Sequence, residues 1–216
     1  MGRNKVRRLA SAARLPNLLK RDQVPRGGWN QVVFGREVPL VVEVGCGRGE
    51  YSIGLAQRYP NCHFVGIDRK MLRMAQGARR ALELGLENVR FLWADARELS
   101  TFFGVGEVVE IWLPFPDPHP IAGEEKRLVA SGFLDIYEHI LAEDGILHFK
   151  TDNELLFRYG YEQFRRRSGW RIGEVIADVH QLPADHILRA ITTHYERKFA
   201  SGGIPVFYLR AYRKGV

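Results

Sequence analysis

The sequence is poor in cysteine. Cys46 and Cys62 stand alone, without C-x-x-C spacing or a neighbouring histidine pair. Neither a disulfide framework nor a zinc site is encoded, no other metal is expected, and the free thiols fit a reducing, cytoplasmic compartment. Long apolar runs are also missing. Charge, Gly or Pro breaks every hydrophobic stretch within about ten positions, against the ~20 residues that span a bilayer, so no membrane is expected as a partner. A secretory leader is not expected, because Arg14 and Asn17 interrupt the only candidate apolar core. Met1-Gly2 is not followed by the hydroxyl residue that myristoylation needs. Repeats and low-complexity segments are absent. What is present is 216 residues, 45% hydrophobic and 26% charged, the profile of one globular domain with a sizeable core.

Acidic residues are scarce in one place only. Residues 1–28 hold Arg3, Lys5, Arg7, Arg8, Arg14, Lys20, Arg21 and Arg26 against the single acid Asp22. The whole formal net charge of +7 therefore sits in this stretch, and the rest of the chain is balanced. A basic arm over residues 1–28, followed by a domain over residues 29–216, is the expected organisation. Such an arm suits a polyanion, nucleic acid being the commonest; a solvated tail or a transit peptide is the bland alternative.

After Gly27-Gly28 apolar runs alternate with helical patterns. Strands are expected at Pro39–Val44, Cys62–Ile67, Val89–Trp93, Val108–Leu113 and Ile146–Phe149. Between and after them, helices are expected at Glu50–Arg58, Lys70–Leu84, Ala96–Phe103, Glu125–Ile140 and Glu154–Arg167, with closing strands near 171–178 and 205–212. This alternation predicts an α/β fold, a doubly wound, mostly parallel sheet with helices on both faces.

In such a sheet ligands bind at the carboxyl ends of the strands, so the loop after the first apolar strand matters most. It reads Glu43-Val44-Gly45-Cys46-Gly47-Arg48-Gly49-Glu50. A dinucleotide fingerprint would need glycine where Glu50 stands, and a carboxylate there repels a pyrophosphate. The glycines at 45, 47 and 49 instead suit close approach to S-adenosylmethionine, whose positive sulfonium tolerates Glu43. Asp68 and Asp95 end the next two strands, placed for ribose hydroxyls and for the adenine amino group. Each could equally be a helix N-cap, Asp95 above all.

The chain resembles the bacterial tRNA (guanine-N7-)-methyltransferases along nearly its whole length. The resemblance lies in Trp29-Asn30, Val33–Gly35, Glu43–Gly49, Gly66–Asp68, Asp95-Ala96, Phe115–Pro118, His148–Asn153 (HFKTDN) and Thr193–Phe199 (THYERKF). The last three are the selective ones. It implies a Rossmann-like class I methyltransferase fold, S-adenosylmethionine as cofactor and tRNA as partner, with the variable-loop guanosine at tRNA position 46 as target. It implies Glu43, Asp68, Asp95 and Asp117 on the cofactor side and Asp117 as the catalytic residue. Asp152, Thr193, Tyr195 and Glu196 fall on the substrate side. The sequence departs from the family after Asp117-Pro118. Relatives carry Trp and a strongly basic run there, whereas this chain has His119-Pro120-Ile121-Ala122-Gly123-Glu124-Glu125-Lys126-Arg127, one residue shorter, with Ile121 in place of a lysine.

The chemistry agrees with this set. Guanine N7 offers an in-plane lone pair and no proton, so methyl transfer needs placement and no general base. Carboxylates favour the cationic product and match the donors of the guanine Watson–Crick edge, which makes Asp117, Asp152 and Glu196 candidates for base selection. Four prolines at 114, 116, 118 and 120 restrict the backbone around Asp117. Thr193 and Glu196 also fit a capping box. Lys150 reads as a snorkelling side chain, His148 as a core histidine and Arg165–Arg167 as a solvated helix end. A methyltransferase of the same fold acting on another RNA or a small molecule, and a tRNA-binding protein that holds cofactor without turnover, are the competing readings.

Overall fold

A computed structural model of the chain describes residues 3–199 and 203–215. Residues 1–2 of the expected arm and residues 200–202 and 216 of the expected domain lie outside the described residues. Eight strands form one sheet: β1 (Leu18–Lys20), β2 (Leu40–Val44), β3 (His63–Asp68), β4 (Val89–Trp93), β5 (Val108–Pro114), β6 (Leu141–Thr151), β7 (Trp170–Ile176) and β8 (Phe207–Arg213). Their spatial order is β1-β4-β3-β2-β5-β6-β8-β7. The first six run parallel, and β8 pairs antiparallel with both β6 and β7. The chain builds outward from β2 through β3 and β4, then crosses back to β5, so the crevice between the ends of β2 and β5 is the switch point. β2 shows why the sheet is covered on both faces. All five of its residues are buried, and Leu40, Val42 and Val44 belong to one core layer while Val41 belongs to the other, the period of two of a strand.

Helices α1 (Arg3–Ala12), α2 (Glu50–Arg58), α3 (Met71–Glu83), α4 (Leu99–Phe102), α5 (Ser131–Ile140), α6 (Glu154–Arg165), α7 (Ile187–Ala190) and α8 (His194–Phe199) complete the layers. Among the described residues no helix is long and apolar enough to cross a membrane. The stretch set apart by its charge contributes α1 and β1. Ala12 is fully buried, Leu18 pairs beside Phe91, and Asn17 Nδ2 donates to the Ala78 carbonyl of α3 at 2.8 Å.

Several expected boundaries move. The helix expected at Ala96–Phe103 is a 3-10 turn over Ala96–Glu98, capped by Asp95, followed by the four residues of α4. The helix expected at Glu125–Ile140 starts only at Ser131. Ile121–Lys126 is a 3-10 stretch broken at Gly123, and the backbone is extended at Arg127 and Ala130 because the Arg127 side chain is committed to loop carbonyls described below. β6 runs beyond Ile146–Phe149 because Leu141 also pairs with Val108. Residues 171–178 and 205–212 shift by a few positions into β7 and β8.

α3 sits so close to the glycine loop that a Cβ on Gly77 would lie 2.1 Å from the Arg48 carbonyl oxygen. Gly77→Ala should therefore cost about 2–3 kcal/mol of stability, the range for overpacking. Gly132→Ala, on α5 with nothing within 4 Å of its Cβ, should be neutral or stabilising by up to about 1 kcal/mol. Urea unfolding of the two variants reads both; equal effects would contradict the close approach.

Candidate functional site

Two adjoining cavities open at the carboxyl ends of the parallel strands. The larger, about 350 Å³, is walled by Gly45 and Gly47 after β2, Asp68 ending β3, Asp95 after β4 and Asp117 after β5. The smaller, about 180 Å³, is bounded by Phe115–Pro118, by Asp152 after β6 and by Tyr195 on α8. Phe115, Pro116 and Asp117 wall both, so this segment is the partition between them.

The larger cavity is shaped by backbone. Gly45, Gly47 and Gly49 all adopt left-handed φ, and the amides of Gly45 and Cys46 donate to the Ile67 carbonyl, which folds the loop over the end of β3. Asp68 fixes the turn from its far side: Oδ2 accepts from the Gly47 amide at 2.9 Å and Oδ1 from the Lys70 amide at 2.7 Å. Each oxygen keeps acceptor capacity to spare at the cavity wall. Asp95 accepts from the Arg97 amide and guanidinium at 2.8–3.0 Å and lies 3.5 Å from Arg69. The Arg97 hydrogen bonds hold its carboxyl down at about 2. The N-cap reading of Asp95 is thus realised at the cavity wall.

Glu43 and Gly49 do not line the cavity. Glu43 points from β2 into the core and accepts from the Ser52 amide at 2.7 Å and from its hydroxyl, steadying the first turn of α2. Burial pushes its carboxyl up to about 8 against those hydrogen bonds. Gly49 is set by packing, since a Cβ there would lie 2.3 Å from the Phe91 ring.

In the smaller cavity the Tyr195 hydroxyl donates to Asp152 Oδ2 at 3.0 Å, and the Tyr195 ring lies 5.5 Å from that of Phe115. Thr193 and Glu196 lie beneath this wall and line neither cavity. They form the capping box of α8: the Glu196 amide donates to Thr193 Oγ1 at 3.0 Å and the Thr193 amide to Glu196 Oε2 at 2.8 Å. Glu196 Oε1 accepts from Lys150 Nζ at 2.6 Å. Lys150 does not snorkel. It is 1% exposed, and its ammonium also donates to the Tyr51 hydroxyl and the Leu188 carbonyl. His148 is a core residue: it stacks on Trp112 and its Nδ1 shares a hydrogen bond with the Tyr208 hydroxyl at 2.7 Å, while Nε2, 3.3 Å from Glu110, is misaligned and unbonded. Arg165 is an exposed helix end paired with Glu162, but Arg167 is not a solvated one; it pairs with Asp135 and Glu138 across to α5.

Residues 37–209 match the family model described as "Putative methyltransferase". A Bacteroides thetaiotaomicron tRNA (guanine-N(7)-)-methyltransferase is 36% identical over 97% of this chain and 86% of its own. The Pediococcus pentosaceus protein of the same name is 37% identical over 90% of this chain and 91% of its own. The chain belongs to the tRNA (guanine-N(7)-)-methyltransferase family. Solved structures agree on the fold: the 16S rRNA methyltransferase KamB superposes with a TM-score of 0.62 at 17% identity, covering 82% of this chain and 88% of its own. A 16S rRNA (adenine(1408)-N(1))-methyltransferase solved with S-adenosylmethionine gives 0.59 at 17% identity over 96% of this chain and 92% of its own.

Arg127 has a role that its place in the sequence does not signal. Its guanidinium is buried, donates to the Pro118 carbonyl at 2.8 Å and the His119 carbonyl at 2.9 Å, and lies 4.5 Å over the Tyr159 ring. Counted as one cation in a balanced run, it gave no signal of this role. Arg127→Lys keeps the charge but loses the planar fork, so turnover should fall at least about ten-fold through a loosened Asp117 loop. Single-turnover kinetics check this; a wild-type rate would remove Arg127 from the loop's support.

Glu43 gives a pH prediction. Its folded value lies above its ordinary one, so its contribution to stability is present below about 4.5 and is lost as pH rises through about 8. Wild type should lose stability relative to Glu43→Gln between pH 5 and 9 in urea unfolding. A pH-independent difference would mean that Glu43 is ionised in the fold.

Proposed function

We propose that this chain transfers the methyl group of S-adenosylmethionine to N7 of a guanosine in tRNA, the variable-loop guanosine at position 46, with Asp117 placing both reactants. The observation that carries the reading is the pair of cavities sharing Phe115–Asp117. One has the glycine backbone and strand-end acids suited to a cationic nucleoside. The other has two carboxylates and aromatic rings suited to a purine.

The residues present fit the cofactor. Gly47 has open space where a Cβ would stand, leaving its backbone approachable, and Asp68 is oriented by two amides with acceptor capacity to spare. Asp68 and Asp95 would hold the nucleoside and Gly45 and Gly47 the neighbouring backbone contacts. When bound, the cofactor supplies an electrophilic methyl on a sulfonium.

The rest falls to this chain. Guanine N7 carries no proton, so no side chain has to remove one, and the pocket's task is alignment of the lone pair. Asp117 and Asp152 offer acceptors to the N1–H and amino donors of guanine, a pattern adenine lacks. Positive charge develops on the base as the bond forms, and the same carboxylates stabilise it. Tyr195 holds Asp152 by its hydroxyl and presents ring surface beside Phe115.

Asp117→Ala should abolish most methylation of bulk tRNA by labelled cofactor while the melting temperature stays within a degree or two of wild type, since the loop is held by prolines and Arg127. Asp68→Ala should weaken cofactor binding by about 1–3 kcal/mol in calorimetry. Mapping the methylated nucleotide tests the position. An active, wild-type-like Asp117→Ala, or label on a base other than guanine, would defeat the assignment.

A further inference from the structure

The cations that follow the Asp117 loop, up to the end of α6, are paired. From Lys126 to Arg167 every Lys and Arg is in an ion pair. Lys126 and Arg127 meet Glu125 and Glu124 at 3.9 Å. Lys150 meets Glu196, Arg158 meets Glu154, Arg165 and Arg166 share Glu162, and Arg167 meets Asp135 and Glu138. The loop that follows Asp117 therefore presents no free cation, and its tip, Ile121, is 82% exposed and apolar.

At the other pole the pattern reverses. α1 exposes Lys5, Arg7 and Arg8, carries no acid, and none of these three has an ion-pair partner among the described residues. α1 lies against α3, with Leu9, Ala12 and Ala13 packed into the core layer that contains Met74, Ala78 and Ala81. α3 in turn begins at the larger cavity, whose wall includes Lys70 and Arg73. Lys70 and Arg73 at that wall, like the three cations of α1, make no ion pair among the described residues.

Resting on the tRNA methyltransferase reading, we propose that α1, seated on α3, is the surface that receives the tRNA sugar–phosphate backbone, in place of the loop at residues 120–126. Charge complementarity selects the occupant: free guanidinium and ammonium groups without competing carboxylates neutralise phosphates and release counterions. A lipid surface does not fit. An interfacial helix needs a wide apolar face, whereas Leu9 and Ala12 of α1 are packed on α3 and Val6 is the large apolar residue it leaves exposed.

Deleting the segment would not test this, because Ala12 and Leu18 are core residues and β1 is part of the sheet. The informative variant of the full chain is the triple Lys5→Ala, Arg7→Ala, Arg8→Ala, which keeps α1 a good helix former. The matched control is Arg158→Ala, Arg165→Ala, Arg166→Ala on α6, which changes net charge equally but removes paired cations. Binding of bulk tRNA is measured across a salt series, with kcat, KM, cofactor affinity and melting temperature alongside.

The α1 triple should weaken tRNA binding about ten-fold at 0.15 M salt and flatten the slope of log affinity against log salt by about 2, at roughly 0.7–0.9 per phosphate contact. KM for tRNA should rise while kcat, cofactor affinity and melting temperature hold. Parallel salt lines, or an equal loss in the α6 control, would overturn the proposal. A wild-type protein that leaves tRNA unmethylated overturns the functional reading and this surface with it. A wild type that methylates, beside an unaffected α1 triple, overturns this surface alone.

Discussion

The two halves of the site depend on one buried ammonium. Lys150 Nζ has three hydrogens, and α2, α7 and α8 each supply one acceptor: the Tyr51 hydroxyl, the Leu188 carbonyl and the Glu196 carboxylate. Burial pulls its ionisation below the ordinary value while Glu196 opposes that pull. A buried pair of this kind is weak evidence of net stability, but breaking it from one side costs about 3–5 kcal/mol because a bare charge is left without water. Its value here lies in position. The Lys150 carbonyl accepts from the Phe115 amide at 2.8 Å, so the same residue fixes the loop bearing Asp117 by its backbone and the helix bearing Tyr195 by its side chain.

The Asp117 loop itself follows from an imbalance that its prolines create. Four prolines remove four amide donors, yet every carbonyl of the segment still needs a partner. Arg127 supplies donors to two of those carbonyls from a buried position, which is why the chain there is extended where its sequence suggests helix. Phe115 and His119 both take positive φ, at 52° and 37°, although each precedes a proline and neither is glycine. Such conformations cost about 1–3 kcal/mol each and persist only where neighbours over-determine them. The Phe115 amide bond to β6 and the Arg127 bonds at His119 are those neighbours, one at each end.

Local chemistry made much of this legible in the sequence. Period-two and period-3.6 patterns located the parallel strands and long helices because burial on fixed faces imposes them. The glycine loop, the strand-end acids and the capping box at Thr193 were readable for the same reason: each is a short-range solution to a backbone requirement. What stayed hidden depends on partners far along the chain. Lys150 meets Glu196 across 46 positions and Arg127 serves carbonyls through a loop, so neither composition nor spacing distinguishes them from surface charges. β1 was masked in another way. Its three residues are too few for a period, and their strand character comes from pairing with β4.

Electrostatics then imposes a division of labour. A pocket that reads guanine and accommodates a cationic product must offer carboxylates, but the polymer bringing the guanine is a polyanion. The protein limits how far its acids act. Asp95 is covered by Arg97 and Arg69, and Glu43, pushed up to about 8, holds its proton at neutral pH. In the proposed reading Asp117 and Asp152 meet the base by hydrogen bonds, where a carboxylate acts strongly, while beyond a Debye length of about 8 Å their repulsion of phosphates is screened. Attraction over the remaining distance must come from cations with no carboxylate beside them. Lys5, Arg7 and Arg8 of α1 are such cations, and in the proposed reading they meet the polymer while Asp117 and Asp152 meet the base.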